Sequence, residues 1–99
     1  MELLKILGLG KKKRMMIANA LQKGAIIIDV RTSNEFTSGN INGSLNVPLA
    51  NISKNINKIK SFKKPILLCC ASGVRSATAT SMLKSHNIEC YNAGSWRSI

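Results

Sequence analysis

Apolar and polar positions follow two rhythms along this chain, and the changes of rhythm divide it into elements. Ala25-Ile26-Ile27-Ile28-Asp29-Val30 and Pro65-Ile66-Leu67-Leu68-Cys69 are short, almost unbroken apolar runs. That is the pattern of strands buried on both faces of a parallel sheet. Ile52, Ile56 and Ile59 instead recur at helical spacing, with Lys54, Lys58 and Lys60 largely on other faces. One amphipathic helix is predicted between Leu49 and Phe62. Another is predicted from about Met15 to Lys23, with Ile17, Ala20 and Leu21 on one face and Gly24 as its stop. Thr32-Ser33-Asn34-Glu35 has the form of a capping box and opens a short helix carrying Phe36. A loop from Gly39 to Gly43 leads into a short strand, Ser44 to Val47, closed by Pro48. The stretch from Arg75 to Ser85 reads as a helix, and Ile88 to Asn92 as the last strand. Strands alternating with helices give an α/β fold with a mainly parallel sheet of about four or five strands flanked by helices.

The chain has 99 residues, enough for one small domain that buries roughly 60–65% of the surface its unfolded chain exposes. No apolar stretch approaches the roughly 20 residues of a membrane span. In Met1 to Arg14 the apolar residues Leu3, Leu4, Ile6, Leu7 and Leu9 precede the cluster Lys11-Lys12-Lys13-Arg14. A secretory signal has the reverse order and a small-residue cleavage site. The segment is therefore read as retained and the protein as cytoplasmic, with residues 15–99 forming the domain. As an amphipathic helix, residues 1–14 could also touch an anionic membrane surface.

Fifteen Lys and Arg against four Asp and Glu give a formal charge of +11. Such an excess draws small anions or acidic partners towards the protein. Nucleic acid is not expected, because an aromatic share of 4% supplies no stacking surface for single strands. The three cysteines have no framework spacing, and Cys69 and Cys70 are neighbours, where a bridge would be strained. Reduced thiols follow. One histidine and no paired CxxC offer no metal site, and nothing in the chain asks for a cofactor.

Candidate chemistry concentrates in Cys70-Ala71-Ser72-Gly73-Val74-Arg75-Ser76. Cys70 falls where a strand gives way to a helix N-terminus, so unpaired backbone N–H groups and the positive end of the helix dipole favour its thiolate. Ala71, Ser72, Gly73, Val74 and Arg75 would form an anion-binding cradle. Gly73 lets the backbone curl, Ser72 can donate a hydroxyl hydrogen bond, and Arg75 adds a fixed positive charge. Side chains alternate along a strand, so Cys69 points away from the cradle into the core. Cys90 reads as a small buried hydrophobe. His86, about 16 Å along the helix from the loop, is an ordinary helix-end residue.

Asp29-Val30-Arg31, Glu35-Phe36, Gly39-x-Ile41-x-Gly43-Ser44 and Asn46-x-Pro48 resemble the front half of a rhodanese-like domain. Cys70-x-Ser72-Gly73-x-Arg75-Ser76-Ala77 resembles that family's active-site loop, and Gly94-Ser95-Trp96 its Gly-Gly-Trp element. The match runs in order from about Leu21 to Trp96, departing from the family at Asn40, Ser44 and Ser95. The resemblance implies a three-layer fold and a sulfurtransferase. Cys70 would take a sulfane sulfur from an anionic donor such as thiosulfate, become a persulfide, and pass the sulfur to a thiophilic acceptor, cyanide or a thiol, which could belong to a protein. The loop's N–H groups from Ala71 to Arg75 would hold the developing charge, and Arg75 would hold the donor. Asp29 would support the neighbouring loops and Arg31 would pair with Glu35. Trp96 would line the pocket mouth or cover the sheet, packing being favoured.

Two other functions compete. The first, a dual-specificity phosphatase or arsenate reductase related by fold, would need five residues between cysteine and arginine, because phosphate requires a wider cradle. Only counting from Cys69 gives that number, and Leu68 stands where those enzymes carry a histidine. A protein-binding or sulfur-carrier module is the other reading, and the charge would suit an acidic partner.

Overall fold

The computed structural model describes residues 2–99, with side chains from Gly10 onward. Helix α1 (Glu2–Gln22) is followed by strand β1 (Ile26–Asp29), helix α2 (Ser33–Thr37) and strand β2 (Leu45–Asn46). Helix α3 (Ile56–Ser61), strand β3 (Ile66–Cys70), helix α4 (Val74–Lys84) and strand β4 (Cys90–Ser95) complete the chain. The four strands form one parallel sheet in the order β2-β1-β3-β4. Two helical layers cover it. On one face Ile28, Leu68 and Cys70 pack with Ile52, Ile56 and Ile59, and with Ala79 and Leu83 of α4. On the other, Leu67, Cys69 and Ala93 pack with Ile17 and Ala20 of α1. β3 lies inside the sheet, and all five of its residues are buried.

The architecture is the one predicted, and its differences lie at element ends. Helix α1 extends far upstream of Met15; the side chains of residues 2–9, on which the membrane-surface expectation rests, lie outside the described residues. Ile17 and Ala20 are buried, whereas Leu21 is exposed, because the contact with Leu67, Cys69 and Ala93 is a stripe too narrow to reach it. The single helix expected from Leu49 to Phe62 is broken. Two 3-10 turns, Leu49–Asn51 and Ser53–Asn55, precede α3. Asn55 leaves helical geometry at φ −109°, and its side chain donates 2.8 Å to the Asn51 carbonyl, the local competition that disfavours Asn within helices. Ile52, Ile56 and Ile59 are still buried as their spacing predicts.

The last strand starts later and runs further than Ile88–Asn92. Ile88 donates to the Leu83 carbonyl at 3.2 Å across Asn87, which is left-handed at φ 61°. It belongs to the stop of α4 rather than to the ladder. Past Asn92 the pairing slips: Leu68 faces Asn92, but Cys69 faces Gly94 and Cys70 faces Ser95. Ala93 is thus one extra residue, a bulge at the carboxyl end of the sheet. In parallel α/β sheets that end carries the sites, and bulges gather beside them.

Candidate active site

Cys70 ends β3, and the chain turns through Ala71, Ser72 and Gly73 before α4 begins at Val74. Gly73 caps the helix in the left-handed region at φ 103°. A Cβ there would lie 3.3 Å from the Gly94 Cα, so both conformation and space call for glycine. The turn points the Gly73 N–H back at the Cys70 Sγ, 2.9 Å away. The Ser76 Oγ lies 3.4 Å from the same sulfur. Burial pushes the thiol up, but the Ser76 hydroxyl and the N–H groups of Ser76, Gly73 and Ser72 outweigh it, bringing Cys70 down to about 7. Cys69, on the opposite face, has no such donors. Burial and the Asp29 charge push it up to about 12.

Of the five residues expected to line a cradle, Ser72 and Gly73 turn backbone N–H groups to the sulfur, and Ser76 joins them. The hydroxyl against the sulfur belongs to Ser76, not Ser72. Ser76, Ala79, Thr80 and Leu83 form the buried face of α4, and a serine at the head of that i, i+3, i+4, i+7 stripe was the available signal. The sulfur itself is covered: Cys70 is 1% exposed, while Ala71, Ser72 and Val74 above it face solvent. Clefts of about 340 Å³ and about 320 Å³ lie elsewhere, lined by none of residues 70–75.

Arg75 does not reach into the cradle alone. Its guanidinium donates to both carboxylate oxygens of Glu35, at 2.7 and 2.9 Å. That pairing holds Glu35 down to about 2. The expected Arg31–Glu35 ion pair is corrected accordingly. Buried Arg31 instead grips Asp29, its Nε 3.0 Å from both carboxylate oxygens and one terminal nitrogen 2.8 Å from Oδ2. To Glu35 it offers a 3.3 Å bond at the backbone carbonyl only, with another of 2.7 Å to Gly39. The physical reason is reach: Asp29 is two residues away at the end of β1, and one planar guanidinium satisfies its whole carboxylate. Glu35 is left to bind Arg75 across forty residues of sequence, while its Oε1 also closes the capping box on Thr32.

Through the Glu35 and Gly39 carbonyls, Arg31 ties the Asp29–Arg31 unit to the neighbouring loops. Asn46, a residue without a role in the sequence reading, donates to the carbonyls of Asp29 and Arg31 at 3.0 and 2.9 Å. Trp96 stacks over Arg31, 4.4 Å from ring centroid to guanidinium carbon, and packs on the α1 side of the sheet. It covers the support rather than the sulfur. His86 is exposed at the far end of α4, and Cys90 is buried with its thiol on the Thr80 carbonyl. The candidate site is thus a buried thiol under a short turn, braced from outside by an Arg–Glu pair.

The profile described as Rhodanese-like domain matches residues 13–98. An uncharacterized protein, YqhL, of Bacillus subtilis is 41% identical over 69 residues, which are 69% of this chain and 54% of that one. A protein named as a mitochondrial thiosulfate sulfurtransferase of Schizosaccharomyces pombe is 35% identical, over 75% of this chain and 62% of the other. The chain spans little more than half the length of these curated relatives. Among solved structures, a rhodanese with anions from E. coli superposes with a TM-score of 0.70 at 25% identity, over 76% of this chain and 91% of that one. A rhodanese-like domain protein from Staphylococcus aureus superposes at 0.68 with 29% identity, covering 75% and 72%.

Proposed function

Because the chain belongs to the rhodanese-like domain family, we propose that it is a sulfurtransferase carrying a sulfane sulfur on Cys70. The observation that carries this reading is the thiol brought down to about 7 by donors aimed at its sulfur. A thiolate so held is populated at neutral pH and remains a competent nucleophile, since nucleophilicity falls as the pKa falls further. No separate general base is required.

With thiosulfate as donor, the Cys70 thiolate attacks the outer sulfur. A new S–S bond forms, the donor's S–S bond breaks, and its electron pair departs with sulfite. A thiol or cyanide then attacks the outer sulfur of the persulfide, and the Cys70 thiolate leaves. The N–H groups of Ser72, Gly73 and Ser76 meet negative charge in every state of this cycle, so they need not reorganise between steps. Arg75, exposed on one side and anchored to Glu35, would guide the anionic donor and brace the loop. A compartment that keeps Cys69, Cys70 and Cys90 reduced, such as the cytoplasm, suits the chemistry.

Two features favour a protein as acceptor: the formal charge of +11, and Val74, which is 72% exposed on the rim of the cradle. The phosphatase alternative loses its nucleophile, because Cys69 lies on the other face of the sheet with its thiol at about 12. A pure binding module stays distinguishable by its indifference to the thiol: its partner would be captured equally by Cys70→Ser.

The test is incubation with thiosulfate, removal of excess donor, and non-reducing intact and peptide mass spectrometry. One sulfur added on the Cys70 peptide, transferable to cyanide, is expected. An unmodified Cys70 would overturn thiosulfate as donor and move the assignment towards the binding module.

A further inference from the structure

Asn92 lies at the bulge of β4, opposite Leu68 and therefore on the α4 side of the sheet. Its side-chain amide makes three contacts. Nδ2 donates to the Gly73 carbonyl at 3.1 Å. Oδ1 accepts the Gly94 N–H at 3.0 Å and the Ser76 hydroxyl at 2.7 Å. The two ends of the amide are assigned by their partners, since a carbonyl needs the NH2 and an N–H needs the oxygen. Gly73 and Ser76 are the residues that supply the Gly73 N–H and the hydroxyl facing the Cys70 sulfur.

We infer that Asn92, which touches no reacting atom, is a positioning residue for Cys70: its amide pins the Gly73 peptide whose N–H is aimed at the sulfur, and it holds the Ser76 hydroxyl proton while the thiol is protonated. This rests on Cys70 being the reactive thiol. The Gly73 peptide is held in a left-handed cap by a bond to its carbonyl, so its N–H keeps its aim. The Ser76 hydroxyl has one proton to give. With Cys70 protonated, the thiol donates to the Ser76 Oγ and the serine proton rests on Asn92. When the thiol loses its proton to solvent, the serine proton turns to the sulfur. Asn92 Oδ1 then still holds the Gly94 N–H and is not left empty. Only a side chain with a donor and an acceptor in one plane serves both partners. Aspartate lacks the donor, and leucine lacks both.

The test uses the full chain and reads the thiol directly: the rate of alkylation by iodoacetamide against pH, for the parent, Asn92→Leu and Asn92→Asp. Both variants are expected to shift the midpoint upward, because lost aim of the Gly73 N–H at 2.9 Å outweighs release of the Ser76 hydroxyl at 3.4 Å, and to slow alkylation at pH 7 by about threefold to tenfold, the scale of one ordinary hydrogen bond. The rate should recover in alkali, which simple loosening of the fold would not produce. In the unaltered protein, the Asn92 side-chain NH2 resonances should move with the same midpoint as Cys70 ionisation. Parent-like alkylation curves in the folded variants overturn the inference. So does an Asn92 amide unmoved through the titration, which decides the matter even if neither variant folds. Alkylation needs no sulfur donor, so a parent that alkylates as expected but transfers no sulfur would sink the proposed activity and leave this inference standing.

Discussion

Cys69 and Cys70 are neighbours on one strand, and both are essentially fully buried, yet their thiols stand at about 12 and about 7. Burial alone would push both up. The difference is what each sulfur meets on its own face of the sheet. Cys69 packs against Leu67, Ala93 and α1 near the Asp29 carboxylate. Cys70 meets the head of α4, where a helix start leaves N–H groups unpaired and a glycine cap turns one of them back. The lowered thiol owes its position to neutral donors under cover, not to exposure. Arg75, the nearest candidate for a charge effect, is engaged by Glu35.

The sharpest break of this comparison is to remove each sulfur in turn. Cys70→Ser should abolish sulfur transfer and leave the fold intact, because the Gly73 N–H and the Ser76 hydroxyl still find an oxygen to bond. Cys69→Ser should retain transfer and lose stability, by roughly 1–3 kcal/mol for a buried hydroxyl without a partner. Thiosulfate:cyanide assays beside thermal melts check both, and activity surviving in Cys70→Ser would end the assignment. Next in size is Gly73→Ala. Its φ of 103° and the Gly94 Cα 3.3 Å from the new Cβ should cost about 1–3 kcal/mol, and the displaced N–H should slow transfer at neutral pH more than the stability loss explains. A variant that melts early but transfers at the parental rate would show that this N–H is not needed.

Ser76→Ala acts on the smaller scale of a single donor. The alkylation midpoint of Cys70 should rise from about 7 towards the ordinary thiol range, and the neutral rate should fall several-fold and recover in alkali. The sign carries over to stability. A thiol whose folded pKa lies below its unfolded value near 9 contributes stability fully above that pH, and the contribution is lost as pH falls through 7. Ser76→Ala should flatten that part of the stability profile. An unshifted midpoint would leave the backbone N–H groups as the whole cause.

The reach of the sequence follows from the range of the interactions. Unbroken Ile and Leu runs marked β1 and β3, because burial on both faces leaves no polar positions. The capping box at Thr32 and Glu35 was legible because its partners are three residues apart. The cysteine loop was legible because a strand end, a glycine and a helix start are consecutive. What escaped depends on contacts between distant segments. Glu35 meets Arg75, Asn92 meets Ser76, and Asn46 holds Asp29 and Arg31, at separations from fifteen to forty residues. The break between Leu49 and Ile56 escaped for the opposite reason: isoleucine spacing outweighed a local Asn–Asn bond that the backbone obeyed.

The smallest expected effect gives the cleanest separation of charge from neutral donors. Glutamine at position 35 keeps an oxygen for the Thr32 N–H, so Glu35→Gln preserves the capping box and removes the charge and the second acceptor that pair with Arg75. Glu35 is held at about 2 from an ordinary 4.5, first by the Arg75 bond and then by Thr32. A carboxylate lowered in this way contributes stability in full above 4.5 and loses it as pH falls through 2. Melting curves of parent and variant should therefore differ slightly at neutral pH, as an exposed ion pair allows, and converge as pH approaches 2. The alkylation midpoint of Cys70 should stay at about 7, because the donors set it and not the guanidinium that Glu35 restrains. A Glu35→Gln midpoint displaced as far as that of Ser76→Ala would show that Arg75, once freed, acts on the thiolate, and the contrast between the two cysteines would then rest on charge.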